Sequence, residues 1–245
     1  MCVALAHARL ARRHLTQGVD YNDVCGTATD SVKERGFDYA DGIYESNFNN
    51  CGPECDSWGA SHNLEWPTEK ALDFMNATLA DDDPFFLYFN PTSPHSPLVR
   101  IDLDTNPQQL YTPAGTLVTA LDTEAYCGIS CAMPERSAVW DKSLGFSGKS
   151  MSDIAATVWI DYAVGVLYNF LESKGVLDNT LIVFIGDDGF AKDSAVELGL
   201  RVPMIARGDG IAAGSVVENL VSFTDVAPTL MELAGVSGTY DTDGT

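Results

Sequence analysis

The stretch "NTLIVFIGDDGF", Asn179 to Phe190, limits the choice of fold more than any other in the chain. Leu181, Ile182, Val183, Phe184 and Ile185 form an unbroken apolar run of β-branched and aromatic residues with polar flanks. A half-buried strand alternates apolar and polar residues. A run without alternation predicts a strand covered on both faces, as in the middle of a parallel sheet. Gly186, Asp187, Asp188 and Gly189 then close the run. In open α/β sheets, sites are built at the carboxyl ends of strands. Two adjacent carboxylates repel each other. Either they lie in a solvated turn, where Asp and Gly are ordinary residues, or a positive charge compensates them.

The surrounding pattern places this strand in a layered α/β domain. The helix expected over about Asp153 to Ser173, capped by Ser152, puts Ile160, Val164, Leu167 and Leu171 on one face. Trp159, Ala163, Val166 and Phe170 fall on an adjacent face. So wide an apolar stripe predicts a buried helix, and Gly175 is placed to end it. "PTEKALDFMNATLA" opens with Pro67 and predicts a helix with Ala71, Leu72, Met75 and Leu79 near one face. A strand follows from about Phe85 to Phe89, bounded by Pro84 and Pro91. "RVPMIARG" and "VENLVSF" read as further strands. "TDVAPTLMELAG" reads as a helix capped by Thr224 or Asp225 and closed by Gly235. Residues 2–15 read as a basic helix. The stretches 18–66 and 92–150 read as loop-rich, the second long for a connection.

Composition narrows the partners. A net charge of −21 over 245 residues argues against nucleic acid and against an anionic membrane surface. A site for an anionic substrate must therefore supply its own positive charge. No apolar run approaches the roughly 20 residues of a membrane span. The opening "MCVALAHARLARRHL" is a poor signal peptide, because its apolar residues precede its arginines. Six cysteines fit either disulfides or buried thiols. Asn76-Ala77-Thr78 matches a glycosylation acceptor.

Four separated stretches together resemble one family. "PFFLYFNPTSPHSPL" is similar to the sulfatase strand that ends in Pro-His-x-Pro. "LDNTLIVFIGDDGF" resembles the strand carrying the metal-binding Asp-Asn-Gly or Asp-His-Gly. "AKDSAVELGLRVPMIARG" resembles the lysine loop followed by Glu-x-Gly-x-Arg-x-Pro, and "VSFTDVAPTLMELAGV" the Asp-x-Ala-Pro-Thr-Leu helix. "ARRHLTQG" and "GFDYADG" resemble the Gly-Lys-x-His-Leu-Gly and Gly-Phe-Asp elements. The resemblance runs from about residue 11 to 237, with 99–150 unmatched. It implies a mixed, mostly parallel sheet flanked by helices, as in the alkaline-phosphatase superfamily, with residues 1–245 forming part of a sulfatase catalytic domain.

It also implies a chemistry. A sulfate ester needs a cation on its oxygens, donors for the remaining oxygens and an acid for the leaving group. By resemblance Asp187 is a metal ligand and Asp188 stands where sulfatases often have Asn. Both offer the hard oxygens that Ca²⁺ or another divalent cation prefers. By the same resemblance His95 contacts the sulfate or protonates the leaving oxygen, and Lys192 binds the sulfate. His14 sits near the nucleophile, with Arg12 in place of the family lysine. The implied substrate is a small-molecule or glycan sulfate ester, and the implied setting is secreted, endomembrane or lysosome-like.

One family element is missing. The resemblance implies a formylglycine made from Cys or Ser in a Cys/Ser-x-Pro-x-Arg motif upstream of the Lys-x-His stretch, together with an earlier Asp-Asp pair. No such motif lies in the sequence: "CGPEC" at Cys51 ends in Cys55 instead of Arg, and "CAMPER" at Cys131 has one residue too many before Pro. The chain is therefore expected to be the middle and later part of a sulfatase. The alternatives are a sulfatase-like binding protein without turnover and a phosphodiester or phosphonate hydrolase of the same superfamily.

Overall fold

The computed structural model describes residues 2–8, 30, 32–43, 64–81, 83–91, 111–112, 115–116, 122–147, 151–187, 189, 194–236 and 243–244. In chain order its elements are β1 (Cys2–Ala8), α1 (Glu65–Ala80), β2 (Phe86–Phe89), the hairpin β3 (Tyr111–Thr112) and β4 (Gly115–Thr116), α2 (Glu124–Cys127) and α3 (Arg136–Ser143). They continue with α4 (Met151–Ser173), β5 (Thr180–Gly186), α5 (Glu197–Leu200), β6 (Met204–Arg207) and α6 (Val226–Leu233).

The main sheet has the order β2-β1-β5-β6. β1 runs parallel to both neighbours, with Ala6 opposite Phe89 on one side and Ala8 opposite Gly186 on the other. β6 is antiparallel to β5, with Ile185 opposite Met204. The sheet is thus mixed and mostly parallel.

Residues 2–8 correct the sequence expectation of a helix. The Ala-rich run favours helix locally, yet strand pairing on both sides overrides that preference. The residues 217–223 correct it in the opposite sense: their β-branched residues predict a strand, but the stretch is irregular and Leu220 is fully exposed. No strand among the described residues lies beside it.

α4 is the spine of the core. Trp159, Ala163, Phe170 and Leu171 are fully buried, and Val166, Ile160 and Leu167 nearly so. They pack with Ala71, Leu72 and Met75 of α1 and with Leu87 and Phe89 of β2. Each such aliphatic or aromatic side chain contributes roughly 1.5–3 kcal/mol through burial. β5 alternates between two layers: Ile182 and Phe184 pack toward α1 and α4, while Val183 and Ile185 meet Tyr88, Val202 and Val226 on the other side. That two-sided cover explains the unbroken apolar run. α4 begins at Met151, so Ser152 lies inside the helix and does not cap it. It ends at Gly175 (φ 70°), where the Gly175 N–H donates to Glu172 O and the Val176 N–H to Leu171 O. α6 has Asp225 at its N-cap position, one of the two residues expected there, although the Asp225 side chain makes no capping bond to α6 itself. A 3₁₀ turn over Phe223–Asp225 leads into the helix and is capped by Ser222, whose side chain accepts from the Thr224 N–H. The Asp225 carboxylate returns the contact by accepting from the Ser222 N–H at 2.8 Å.

Over Ile154–Ser173, α4 is long and apolar enough to cross a membrane by length and composition alone, with a mean hydropathy of 1.4. This corrects the expectation that no stretch approaches such a length; the stretch qualifies although it contains Asp161 and Glu172. Half of that stretch is buried inside the fold. The described part of 92–150 holds the β3–β4 hairpin, α2 and α3. Cys127 and Cys131 form a disulfide with Cα atoms 5.3 Å apart.

A polar network joins α1 to α2. Asp73 pairs with Lys70 at 2.8 Å and accepts a hydrogen bond from the Tyr126 hydroxyl. Burial alone would raise the Asp73 carboxyl, but the hydrogen bonds from Lys70 and Tyr126 outweigh it and hold the carboxyl below its ordinary value of 3.8. A carboxylate depressed in the folded state contributes stability that is full above its unfolded value and lost as pH falls through the folded value. Asp73 is 40% exposed, so solvent screening keeps the effect near about 1 kcal/mol. Asp73→Asn is expected to lower the melting temperature at neutral pH. The difference from wild type should close as pH drops below 3.8; a pH-independent difference would show that the charge is not its source.

Candidate active site at the carboxyl edge of the sheet

The parallel strands bring three chain exits to one edge. β1 ends at Ala8, β2 at Phe89 and β5 at Gly186, and the register sets these ends side by side. β6, running the other way, brings its amino end to the same edge, where the Gly186 N–H donates to Pro203 O at 3.0 Å.

Asp187 is the first residue beyond β5 and is half-buried. It falls on the side of the sheet occupied by Tyr88. Burial, and then the charge of Asp187, push the Tyr88 hydroxyl up to about 12. Tyr88 therefore stays protonated across the physiological range. The sequence did not single it out, because a tyrosine in "FFLYFN" looks like any aromatic strand residue; only the parallel register discloses its neighbour.

The loop carrying Asp187 is set by backbone contact. The Gly189 N–H donates to Gly199 O at 3.1 Å, on the turn formed by α5. A Cβ at Gly189 would lie 2.3 Å from Leu198 O and 2.7 Å from the carbonyl carbon of Gly199. Main chain cannot yield as a flexible side chain can, so only glycine fits. The close approach explains why "GDDG" and "ELGLRVP" occur as separated pieces of one arrangement. Gly189→Ala is expected to cost about 1–3 kcal/mol through overpacking and to displace Asp187, measured as a lower urea midpoint at unchanged slope. A wild-type midpoint would mean that the two loops are not pressed together.

Of the residues singled out in the sequence, Asp187 is described at this edge. Asp188, His95, Lys192, Arg12 and His14 lie outside the described residues, as do Cys51 and Cys55. By sequence alone, Arg12 and His14 follow β1, His95 follows β2, and Asp188 and Lys192 follow β5. Among the described residues, no group of three or more His, Cys, Asp or Glu is arranged to hold a metal ion. The Asp187 carboxylate fits as one hard-oxygen donor to a divalent cation. Formylglycine does not fit Cys131, which is fully buried and bonded to Cys127.

Comparison with known proteins bears on the family and the fold. Residues 15–236 match the family model described as Sulfatase. The chain is 38% identical over 94 residues to an extracellular sulfatase SULF-1 homolog of Drosophila melanogaster, covering 35% of this chain and 8% of that protein. It is 25% identical over 192 residues to N-acetylglucosamine-6-sulfatase of Capra hircus, covering 72% of this chain and 34% of that protein. The structure of Ps i-CgsB in complex with k-i-k-neocarrahexaose matches the whole of this chain and 53% of its own, with a TM-score of 0.56 at 21% identity, which shows a shared fold. The chain thus spans about a third of the caprine relative and about half of the structural one. The match covers both the edge that carries Asp187 and the core that supports it, and the chain belongs to the sulfatase family.

Proposed function

We propose that this chain forms part of a sulfuric ester hydrolase acting on a glycan sulfate ester with the help of a divalent cation, Ca²⁺ by preference. The observation that carries the reading is the family match across residues 15–236. Asp187, at the edge where the strands end, supports it. Asp187 and Asp188 would hold the cation, which supplies positive charge to the sulfate oxygens. Lys192 and Arg12 would bind the anionic group, offsetting a chain of net charge −21. His95 would hold the proton delivered to the leaving oxygen, and His14 would act beside the nucleophile. Tyr88, protonated next to Asp187, adds a neutral hydroxyl donor at the same edge.

The glycan class is supported by the relatives, whose names specify an N-acetylglucosamine sulfatase and a complex with a neocarrahexaose. A secreted or endomembrane setting is supported by the Cys127–Cys131 disulfide and by the relative named as extracellular. The partner is neither nucleic acid, on grounds of charge, nor a bilayer, because the apolar side of α4 is spent on the core. The test is release of sulfate from 6-sulfated N-acetylglucosamine, with and without chelator, beside a phosphonate monoester of similar size. Chelator-sensitive sulfate release is expected. Faster turnover of the phosphonate would move the protein to that branch of the superfamily, and turnover of neither would leave a sulfatase-like binding protein.

A further inference from the structure

We propose that Asn76 carries an N-linked oligosaccharide. Asn76-Ala77-Thr78 is the one Asn-x-Ser/Thr tripeptide in the chain whose middle residue is not proline; Asn90-Pro91-Thr92 is excluded on that ground. The fold places the acceptor where a bulky group can stand. Asn76 and Ala77 are exposed on α1, while the preceding Met75 is fully buried, so the helix turns its core side away from the acceptor. The Lys174 ammonium donates to Asn76 Oδ1 at 3.0 Å. That contact uses the amide oxygen, which a glycosylated asparagine keeps, and leaves Nδ2 out of it.

The position along the fold also suits a glycan. α1 descends to Ala80 before the chain enters β2 at Phe86, and Lys174 follows α4 just before the chain enters β5 at Thr180. Both residues therefore lie toward the amino edge of the sheet, opposite the carboxyl edge that carries Asp187. An oligosaccharide there leaves the approach to the site open. An independent observation fits the compartment in which such transfer happens: disulfides such as Cys127–Cys131 persist chiefly in an oxidising lumen or exterior.

The co-reactant is a lipid-diphosphate-linked oligosaccharide. The amide Nδ2 attacks its anomeric carbon, the carbon–nitrogen bond forms, and the bond from that carbon to the diphosphate oxygen breaks with its electron pair. The amide loses one proton. Transfer takes place on the extended chain, before the Thr78 hydroxyl donates to Phe74 O in the formed helix, so a variant that folds poorly still reports acceptor use.

The experiment translates the full chain behind a cleavable secretory leader in the presence of eukaryotic microsomes and follows the protease-protected, translocated product. One discrete step in mobility is expected, removed by peptide N-glycosidase, retained in Thr78→Ser and absent from Asn76→Gln and Thr78→Ala. Peptide mass analysis of the secreted protein should find the deamidation mark left by the glycosidase at Asn76. A translocated chain without the step, beside a control protein that is modified, would overturn the assignment. So would a step that survives Asn76→Gln.

Discussion

Asp187→Ala is expected to remove cation-dependent stabilisation and sulfate-ester hydrolysis together. A carboxylate at the mouth of the sheet that bonds a divalent cation contributes twice. It raises the affinity for the ion, and it fixes the ion where charge develops on the substrate. Losing an outer partner of a metal ligand already costs 10–100-fold in affinity or activity. Losing the ligand itself should cost at least about 100-fold in kcat/KM. A cation present at about 100 times its dissociation constant stabilises the folded state by about 2.7 kcal/mol. Wild type should therefore gain several degrees in melting temperature on addition of Ca²⁺, and the variant should gain little. Asp187 is only half-buried, so the substitution should change intrinsic stability far less than it changes the response to cation. Asp187→Asn, which keeps the shape and removes the charge, separates the two effects. A variant with full activity would sink the placement of the site. One that lost activity but kept the Ca²⁺ response would show that Asp187 serves the reaction without binding the ion.

How much of this was legible in the sequence depends on how local each signal is. The apolar run of β5 and the two faces of α4 are visible because their periodicity is written in consecutive residues, and the core uses those positions: Trp159, Ala163, Val166 and Phe170 are all buried. β1 was not visible. Cys-Val-Ala-Leu-Ala-His-Ala carries a period of two, but its alanines favour helix, and its strand character comes from pairing with β2 and β5, far along the chain. The residues 217–223 fail in mirror image, having strand-forming residues without a strand beside them. The candidate site divides in the same way. Asp187 could be found because a strand end, a charge pair and glycines meet in one stretch. Tyr88 could not, since its importance lies in a neighbour about a hundred positions away. Gly189 was visible only as a turn residue; the reason it must be glycine is the main chain at Leu198 and Gly199.

Phe170→Ala should produce the largest loss of stability of any substitution considered. The ring is fully buried on α4, meets the Tyr126 ring edge-on at 6.3 Å between centroids, and lies under the Lys174 ammonium at 5.1 Å. Truncation removes the transfer energy of the ring and leaves a cavity that helices pinned on both sides cannot close, at a cost of about 3–5 kcal/mol. Part of that cost, about 0.5–1.5 kcal/mol, is the aromatic pair. Against a total stability of about 5–15 kcal/mol for a domain, such a loss brings the variant close to unfolding. The urea midpoint should fall sharply while the slope stays unchanged. Leu220→Ala provides the contrast: Leu220 is fully exposed, and its removal should shift stability by no more than about 0.5 kcal/mol. The pair of results also decides what α4 is for. A helix that packs its apolar side into a water-soluble core loses stability when Phe170 is cut back. If α4 instead faced lipid, the same truncation would lose little, because no packed cavity would open around it. A small effect at Phe170 would therefore take the core away from α4 and, with it, the support under the edge that carries Asp187.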